Sequence, residues 1–332
     1  MTDPASGSNT IDTLAAALVS GNRTALARAI TAIESARNDH RAEADRLLKT
    51  LLPKTGGAIR LGITGAPGVG KSTLIDQLGL NLIAAGHKVA VLAVDPTSTR
   101  TQGSILGDKT RMERLARDKA AFIRPSPSGA TLGGVAQRTR EAMLICEAAG
   151  FDVVIVETVG TGQSETTVAS MVDFFVVLAL PGAGDDLQGI KKGILEIADI
   201  IVINKADGDL VAAATRSAAD TRTALNILGQ ASPNWRPPVL TVSALKNRGI
   251  DTLWTEVQRH DEIMKRTGEH AAKRRNQRVD WFNSLIETKV LDRFFSTGAV
   301  KNALPRLQTA VQEGKITPTA AAEEILNQWK AD

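Results

Sequence analysis

Residues 59–73 read IRLGITGAPGVGKST, and this stretch decides the fold. Ile59 to Thr64 form a short apolar run of the kind found in strands buried on both faces. Gly65, Ala66, Pro67, Gly68, Val69, Gly70, Lys71 and Ser72 follow with the spacing of a phosphate-binding loop, and Thr73 and Leu74 lead into a helix. The glycines let backbone N–H groups turn inward around phosphates, Lys71 reaches the terminal phosphates, and the Ser72 hydroxyl is placed to ligate Mg²⁺. A strand, a glycine loop and a helix in that order predict a nucleoside triphosphate site on a parallel sheet.

The surrounding sequence agrees. Further β-branched runs at Val89 to Val94, Val153 to Val156, Phe174 to Leu180, Ile200 to Ile203 and Val239 to Val242 alternate with helical segments, as in a sheet covered on both faces by helices. Residues 10–53 instead carry apolar positions at helical spacing (Leu14, Leu18, Leu26, Ile30, Ile33), with Gly21 and Asn22 breaking the run into two helices. After Arg266 no strand signal returns; Val279, Phe282, Ile286, Val290 and Phe294 recur every three or four residues, widened by Trp281 and Leu285. The expected fold is therefore α/β, a parallel-sheet P-loop domain over 56–267 with an N-terminal helical extension over 1–55 and a C-terminal helical arm over 268–332. Lys273, Arg274, Arg275 and Arg278 read as a solvated helix face.

Composition removes several classes. Of 332 residues, 43% are hydrophobic, enough for a substantial core, while 40 basic against 36 acidic side chains give no global field for nucleic acid or an anionic membrane. No stretch approaches the roughly 20 apolar residues of a membrane span. The polar start, with Thr2, Asp3 and Ser6, does not resemble a signal peptide, and a cytoplasmic location is expected. The single cysteine, Cys146, reads as a buried apolar side chain.

Base choice is read far downstream, where Asn204, Lys205, Ala206 and Asp207 follow the run Ile200 to Ile203. A carboxylate at Asp207 accepts from N1–H and the exocyclic amine of guanine, whereas adenine offers neither, so GTP and GDP are the expected ligands. Taken alone, Asp207 also reads as a helix cap. Ser243, Ala244 and Leu245 resemble the loop whose backbone contacts the guanine oxygen, or else form an ordinary turn. Around the γ-phosphate, Asp95 closes a strand before Pro96, Asp108 precedes a helix containing Met112 and Leu115, and Glu157 with Gly160 stands where a metal-side acid and a sensing glycine belong. Asp95 as a turn opener and Asp108 as a helix cap are competing readings. No glutamine directly follows Gly160, the nearest being Gln163, which predicts slow intrinsic hydrolysis. The glycine-rich stretch with Asp185, Gln188, Lys191 and Lys192 reads as a mobile switch or a solvated loop.

The runs GAPGVGKST, VDPTS, GATLGG, ETVGTGQSE, PGAGDDLQGIKKGI and NKAD together resemble the MeaB-type GTPases, and the likeness spans nearly the whole chain. This family, which includes the human methylmalonic aciduria type A protein, assists adenosylcobalamin-dependent methylmalonyl-CoA mutase and belongs to the SIMIBI class of P-loop proteins. The resemblance implies that Asp95, Asp108 and Glu157 surround Mg²⁺ and the attacking water, with Lys71 and Ser72. It makes the Asp185 to Gly193 loop a third switch and the C-terminal helices a homodimer interface. It implies a chaperone that gates cofactor loading and protects or reactivates the mutase. Two other classes stand beside it: a metallochaperone GTPase for a nickel or cobalt enzyme, and a kinase acting on a transport binding protein. The first is disfavoured because His40, His87, His260, His270 and Cys146 are scattered rather than clustered. Asp207 speaks against the ATP that the second requires.

Overall fold

A computed structural model describes residues 4–35, 37–94, 112–125, 132–158, 164–182, 192–227 and 232–329. Seven strands make one parallel sheet: β1 (Ile59–Gly65), β2 (Val89–Val94), β3 (Ala121–Arg124), β4 (Val153–Thr158), β5 (Phe174–Ala179), β6 (Ile200–Ile203) and β7 (Val239–Thr241). Their order is β3-β2-β4-β1-β5-β6-β7. Strand β1 lies centrally, pairing Leu61 with Ile155 of β4 and with Phe174 of β5. Its two neighbours both come from later in the chain, which opens a crevice beyond its carboxyl end.

Alternation along each strand sends side chains to two separate cores. Leu61, Ile63, Val91, Ile155, Phe174, Val176 and Val202 pack on one face with Leu74, Ile75 and Leu78 of α4 (Lys71–Ala84) and with Leu253 and Val257 of the later helix Ile250–Thr267. Leu92, Val94, Val154, Val156, Phe175 and Val177 point to the other face. There they meet three N-terminal helices, α1 (Pro4–Val19), α2 (Arg23–Glu34) and α3 (Asn38–Leu51), through Leu18, Leu26, Ile30, Ile33, Leu47 and Leu51. The lead-in therefore shares the core of the sheet. On this second face Gly62 leaves room for Phe175, whose Cδ2 would stand 2.6 Å from a Cβ at residue 62.

The remaining helices are α5 (Glu113–Ala116), α6 (Leu132–Ala148), α7 (Glu165–Ala169), α8 (Lys192–Ile197), α9 (Val211–Ile227), α10 (Ile250–Thr267), α11 (Glu269–Ser296), α12 (Gly298–Gln312) and α13 (Pro318–Gln328). The chain divides into two compact units, 1–275 and 276–332. In the second, Phe294, Val300, Ala303, Leu307, Ala321 and Ile325 form a small core, with Trp329 edge-on to Phe294 at 5.6 Å. Val279, Phe282, Ile286 and Val290 of α11 are exposed. No helix among the described residues is long and apolar enough to cross a membrane.

Three sequence expectations change. Strand β3 is additional to the runs read from the sequence. The lead-in holds three helices rather than two, the break at Gly21 and Asn22 being real: Asn22 caps α2 by accepting from the Ala25 amide at 3.0 Å. Arg274 is not solvated. Its side chain is 8% exposed and its guanidinium donates to both Asp173 carboxylate oxygens at 2.8 and 2.7 Å, to Gly56 O and to Ala58 O, both at 2.6 Å. Asp173 also accepts from the Arg60 amide at 2.8 Å, and the Arg60 side chain reaches Glu147 at 2.7 Å. Burial opposes ionisation of Asp173, but hydrogen bonds and charge from Arg274, with the Arg60 amide, outweigh it and hold the carboxyl below its usual range.

Cys146 is fully buried, as expected, and burial raises its thiol pKa far enough to leave it unreactive.

Candidate nucleotide site

The loop between β1 and α4 is a rigid cradle. Val69 is fully buried in the core beneath it, and its amide donates to Ala66 O at 3.2 Å. Gly70 has φ +95°, and a Cβ there would lie 2.7 Å from Asn204 Nδ2, so only glycine fits. Lys71 is 8% exposed; its ammonium donates to Gly65 O at 2.8 Å and Ala66 O at 3.3 Å, which folds the charge back over the loop. The first turn of α4 then points its N–H groups and dipole at the same place, a ready anion site.

Beside this cradle, the Ser72 hydroxyl donates to Glu157 Oε1 at 3.2 Å, joining the start of α4 to the end of β4. Glu157 is 8% exposed, and next to it the Thr158 hydroxyl donates to Thr64 Oγ1 at 2.7 Å. A hydroxyl and a carboxylate adjacent to a phosphate loop are hard oxygen donors, the set that suits Mg²⁺. The residues present therefore fit the ion. Among the described residues no group of three or more His, Cys, Asp or Glu side chains is placed to hold a metal.

Asn204 connects the phosphate side to the base side. Fully buried at the end of β6, it donates through Nδ2 to Val69 O at 2.9 Å and accepts through Oδ1 from the Ala244 amide at 3.2 Å. Lys205 follows with φ +60°, turning the chain so that Ala206 N reaches Val242 O at 2.9 Å. Asp207 opens a short 3-10 turn, yet its side chain makes no cap bond; its carboxylate instead accepts from the Ser243 hydroxyl. Ser243 Oγ also receives the Lys246 amide at 3.1 Å, and Ser243 and Arg248 exchange backbone bonds at 3.0 and 3.1 Å. Ala244 is buried and Leu245 is 73% exposed at the loop's rim.

The structure thus brings Gly65 to Thr73, Glu157, Asn204, Lys205, Asp207 and Ser243 to Leu245 to the carboxyl ends of the parallel strands. Asp95, Asp108, Gly160, Gln163, Asp185, Gln188 and Lys191 lie outside the described residues, as do Pro96 to Ser98 and Gly129 to Thr131. Lys192 is the first residue of α8, and its side chain is likewise outside them. What sequence reasoning did not find is the polar face of α4 behind the cradle. Asp76 accepts from the Leu115 amide at 2.9 Å and from Arg114 at 2.8 Å, and Asn81 bonds Asn247. Polar residues within a helix that begins at a phosphate loop were the available signal.

Known proteins resemble this chain over most of its length. A putative GTPase of Caulobacter vibrioides is 58% identical over 316 residues, covering 95% of this chain and 97% of the relative. The GTPase ArgK of Escherichia coli K12 is 48% identical, with 92% of each chain covered. The mitochondrial methylmalonic aciduria type A homolog of Mus musculus is 44% identical over 97% of this chain and 80% of its own length. Among solved structures, one described as an LAO/AO transport system kinase superposes with a TM-score of 0.77 at 40% identity, covering 98% of both chains. Residues 26–299 match the family described as methylmalonyl Co-A mutase-associated GTPase MeaB, and the chain belongs to that family of GTPases.

Proposed function

We propose that the chain binds GTP with Mg²⁺ at the crevice beyond β1 and uses hydrolysis to time its action on an adenosylcobalamin-dependent methylmalonyl-CoA mutase. In this reading it gates cofactor loading and protects or reactivates the mutase. The observation that carries the nucleotide assignment is Asn204, one buried amide bonded to both the phosphate loop and the base loop. Lys71 and backbone N–H groups of the glycine loop and the start of α4 bind the β- and γ-phosphates. Asp207, oriented by Ser243, accepts from the guanine edge. Ser72 and Glu157 would hold Mg²⁺, which neutralises charge on the transferring phosphoryl group. Asp95 and Asp108 are proposed to complete the acid set and orient the attacking water. The kinase name borne by one relative is not carried over, because a carboxylate at Asp207 suits guanine and not adenine.

The C-terminal arm is proposed to form a homodimer interface; the exposed apolar stripe Val279, Phe282, Ile286 and Val290 supports it. Phe282→Asp should shift the species in sedimentation from dimer to monomer, and an unchanged dimer refutes that interface.

The mutase assignment is tested by co-purifying the chain with its native mutase under GDP and under a non-hydrolysable GTP analogue. A nucleotide-dependent complex is expected, and none in either state refutes the assignment. Lys191→Ala separates the switch from the pocket: basal hydrolysis should stay within a few-fold, while mutase-stimulated hydrolysis falls by about tenfold or more. An equal loss in both places Lys191 in the basal site. Lys71→Ala should strongly weaken GTP binding or turnover, and unchanged turnover would dismiss the phosphate-loop assignment.

A further inference from the structure

The outer face of α4 carries a chain of side-chain amides that ends on the base loop. Asn81 Nδ2 donates to Asn247 Oδ1 at 2.8 Å, and Asn247 Nδ2 returns a bond to Asn81 Oδ1 at 3.2 Å. The second acceptor site of Asn81 Oδ1 is taken by Gln77 Nε2 at 2.9 Å, and Gln77 Oε1 in turn accepts from Arg114 Nη2 at 3.1 Å. Each amide is therefore fixed in orientation by its neighbour rather than free to flip. Gln77 is 9% exposed, so this end of the chain is packed and not merely decorating solvent.

Asn247 needs such a partner. It has φ +51°, in the left-handed region, where a residue other than glycine sits at a cost. It also stands between Lys246, whose amide bonds Ser243 Oγ, and Arg248, which closes the loop by bonding Ser243 in both directions. The conformation of Asn247 thus sets the path of the loop that presents Ser243 to Asp207 and Ala244 to Asn204.

We propose that Asn81, oriented by Gln77, is a positioning residue for guanine recognition: its paired amide clasps Asn247 and holds the Ser243 to Arg248 loop in the shape that reads the base. Because α4 also carries Lys71, phosphate and base contacts are registered on one helix. The inference rests on the assignment of Asp207 and this loop to guanine.

The test uses the full chain and a fluorescent GDP analogue. Asn81→Ala should weaken GDP about fivefold, the scale of one lost amide contact. The loss should appear in KM for GTP and not in kcat, with the unfolding temperature within about 2 °C of the parent. Asn247→Gly placed on Asn81→Ala should restore affinity, because glycine adopts the left-handed backbone without a clasp. Unchanged GDP affinity in Asn81→Ala, a loss shared equally by kcat, or failure of Asn247→Gly to rescue would overturn the proposal. Asp207→Asn is the control: if it weakens GDP while Asn81→Ala is silent, the clasp alone falls. If Asp207→Asn is itself without effect, the base-site assignment falls and the clasp with it.

Discussion

Arg274→Met removes the guanidinium from a buried, ion-paired polar cluster. Four hydrogen bonds between 2.6 and 2.8 Å disappear at once, from a pair whose side chains are only 8% and 7% exposed. The Asp173 carboxylate keeps the Arg60 amide but loses its counter-charge, and the carbonyls of Gly56 and Ala58 lose a charged donor. Breaking a buried ion pair from one side costs about 3–5 kcal/mol, most of it from the charge left behind. With a urea slope of about 3 kcal/mol per molar, the unfolding midpoint should fall by about 1 to 1.7 M. Asp173→Asn removes that stranded charge, so adding it to Arg274→Met should cost less than the two single changes summed, by about 1 kcal/mol or more. Urea unfolding followed by far-UV circular dichroism measures all three variants. A midpoint shift below about 0.3 M for Arg274→Met, or strict additivity in the cycle, would show that solvent or relaxation replaces the pair and would refute the argument.

Other outcomes follow from single sites. Gly62→Ala drives a methyl to 2.6 Å from Phe175 and 3.0 and 3.1 Å from Val172 and Val168, so it should destabilise by about 1–3 kcal/mol, with partial recovery on Phe175→Leu; a neutral effect in urea would mean the sheet shifts freely. Glu157→Gln keeps a hydrogen-bond partner for Ser72 but loses the charge, so GTP turnover should fall by about tenfold or more while GDP affinity in EDTA stays within about twofold; parallel losses would make Glu157 a structural residue. Burial depresses the pKa of His260, against the weaker pull of Asp199 at 3.7 Å, so the folded protein resists a proton that the unfolded chain accepts. Stability from this term is full above the unfolded value of about 6.5 and declines as pH falls through it. His260→Gln should flatten the fall in stability between about pH 6.5 and 5, and an identical pH slope would exclude His260 as its source.

Much of the first unit was legible because it is written locally. A continuous apolar run before a glycine loop can only be a buried strand feeding a phosphate cradle, and the same texture located β2, β4, β5, β6 and β7. Strand β3 escaped because Ala121 to Arg124 is four residues long and pairs only with β2 at the sheet's edge, so its pattern does not rise above the flanking loops. The third lead-in helix was hidden in a polar, charge-rich segment. Arg274 was misread for a different reason: its neighbours Lys273, Arg275 and Arg278 look like a wetted helix face, and nothing local reveals that its partner Asp173 lies 101 residues away. The clasp between Asn81 and Asn247 spans 166 residues and is equally invisible in sequence. Local motifs announce chemistry, whereas the groups that brace it are fixed by topology.

Strand order also dictates when this molecule can first exist as it emerges from a ribosome. Strand β1 ends at Gly65, but its two neighbours end at Thr158 and Ala179. The phosphate cradle therefore waits, solvated and unpaired, for roughly a hundred further residues, on the order of ten seconds at common translation speeds. Until then the apolar segment Ile59 to Thr64 is an open edge that any passing strand or chaperone can occupy. Among the seven strands, the one that feeds the phosphate loop is thus the one that waits longest for a partner.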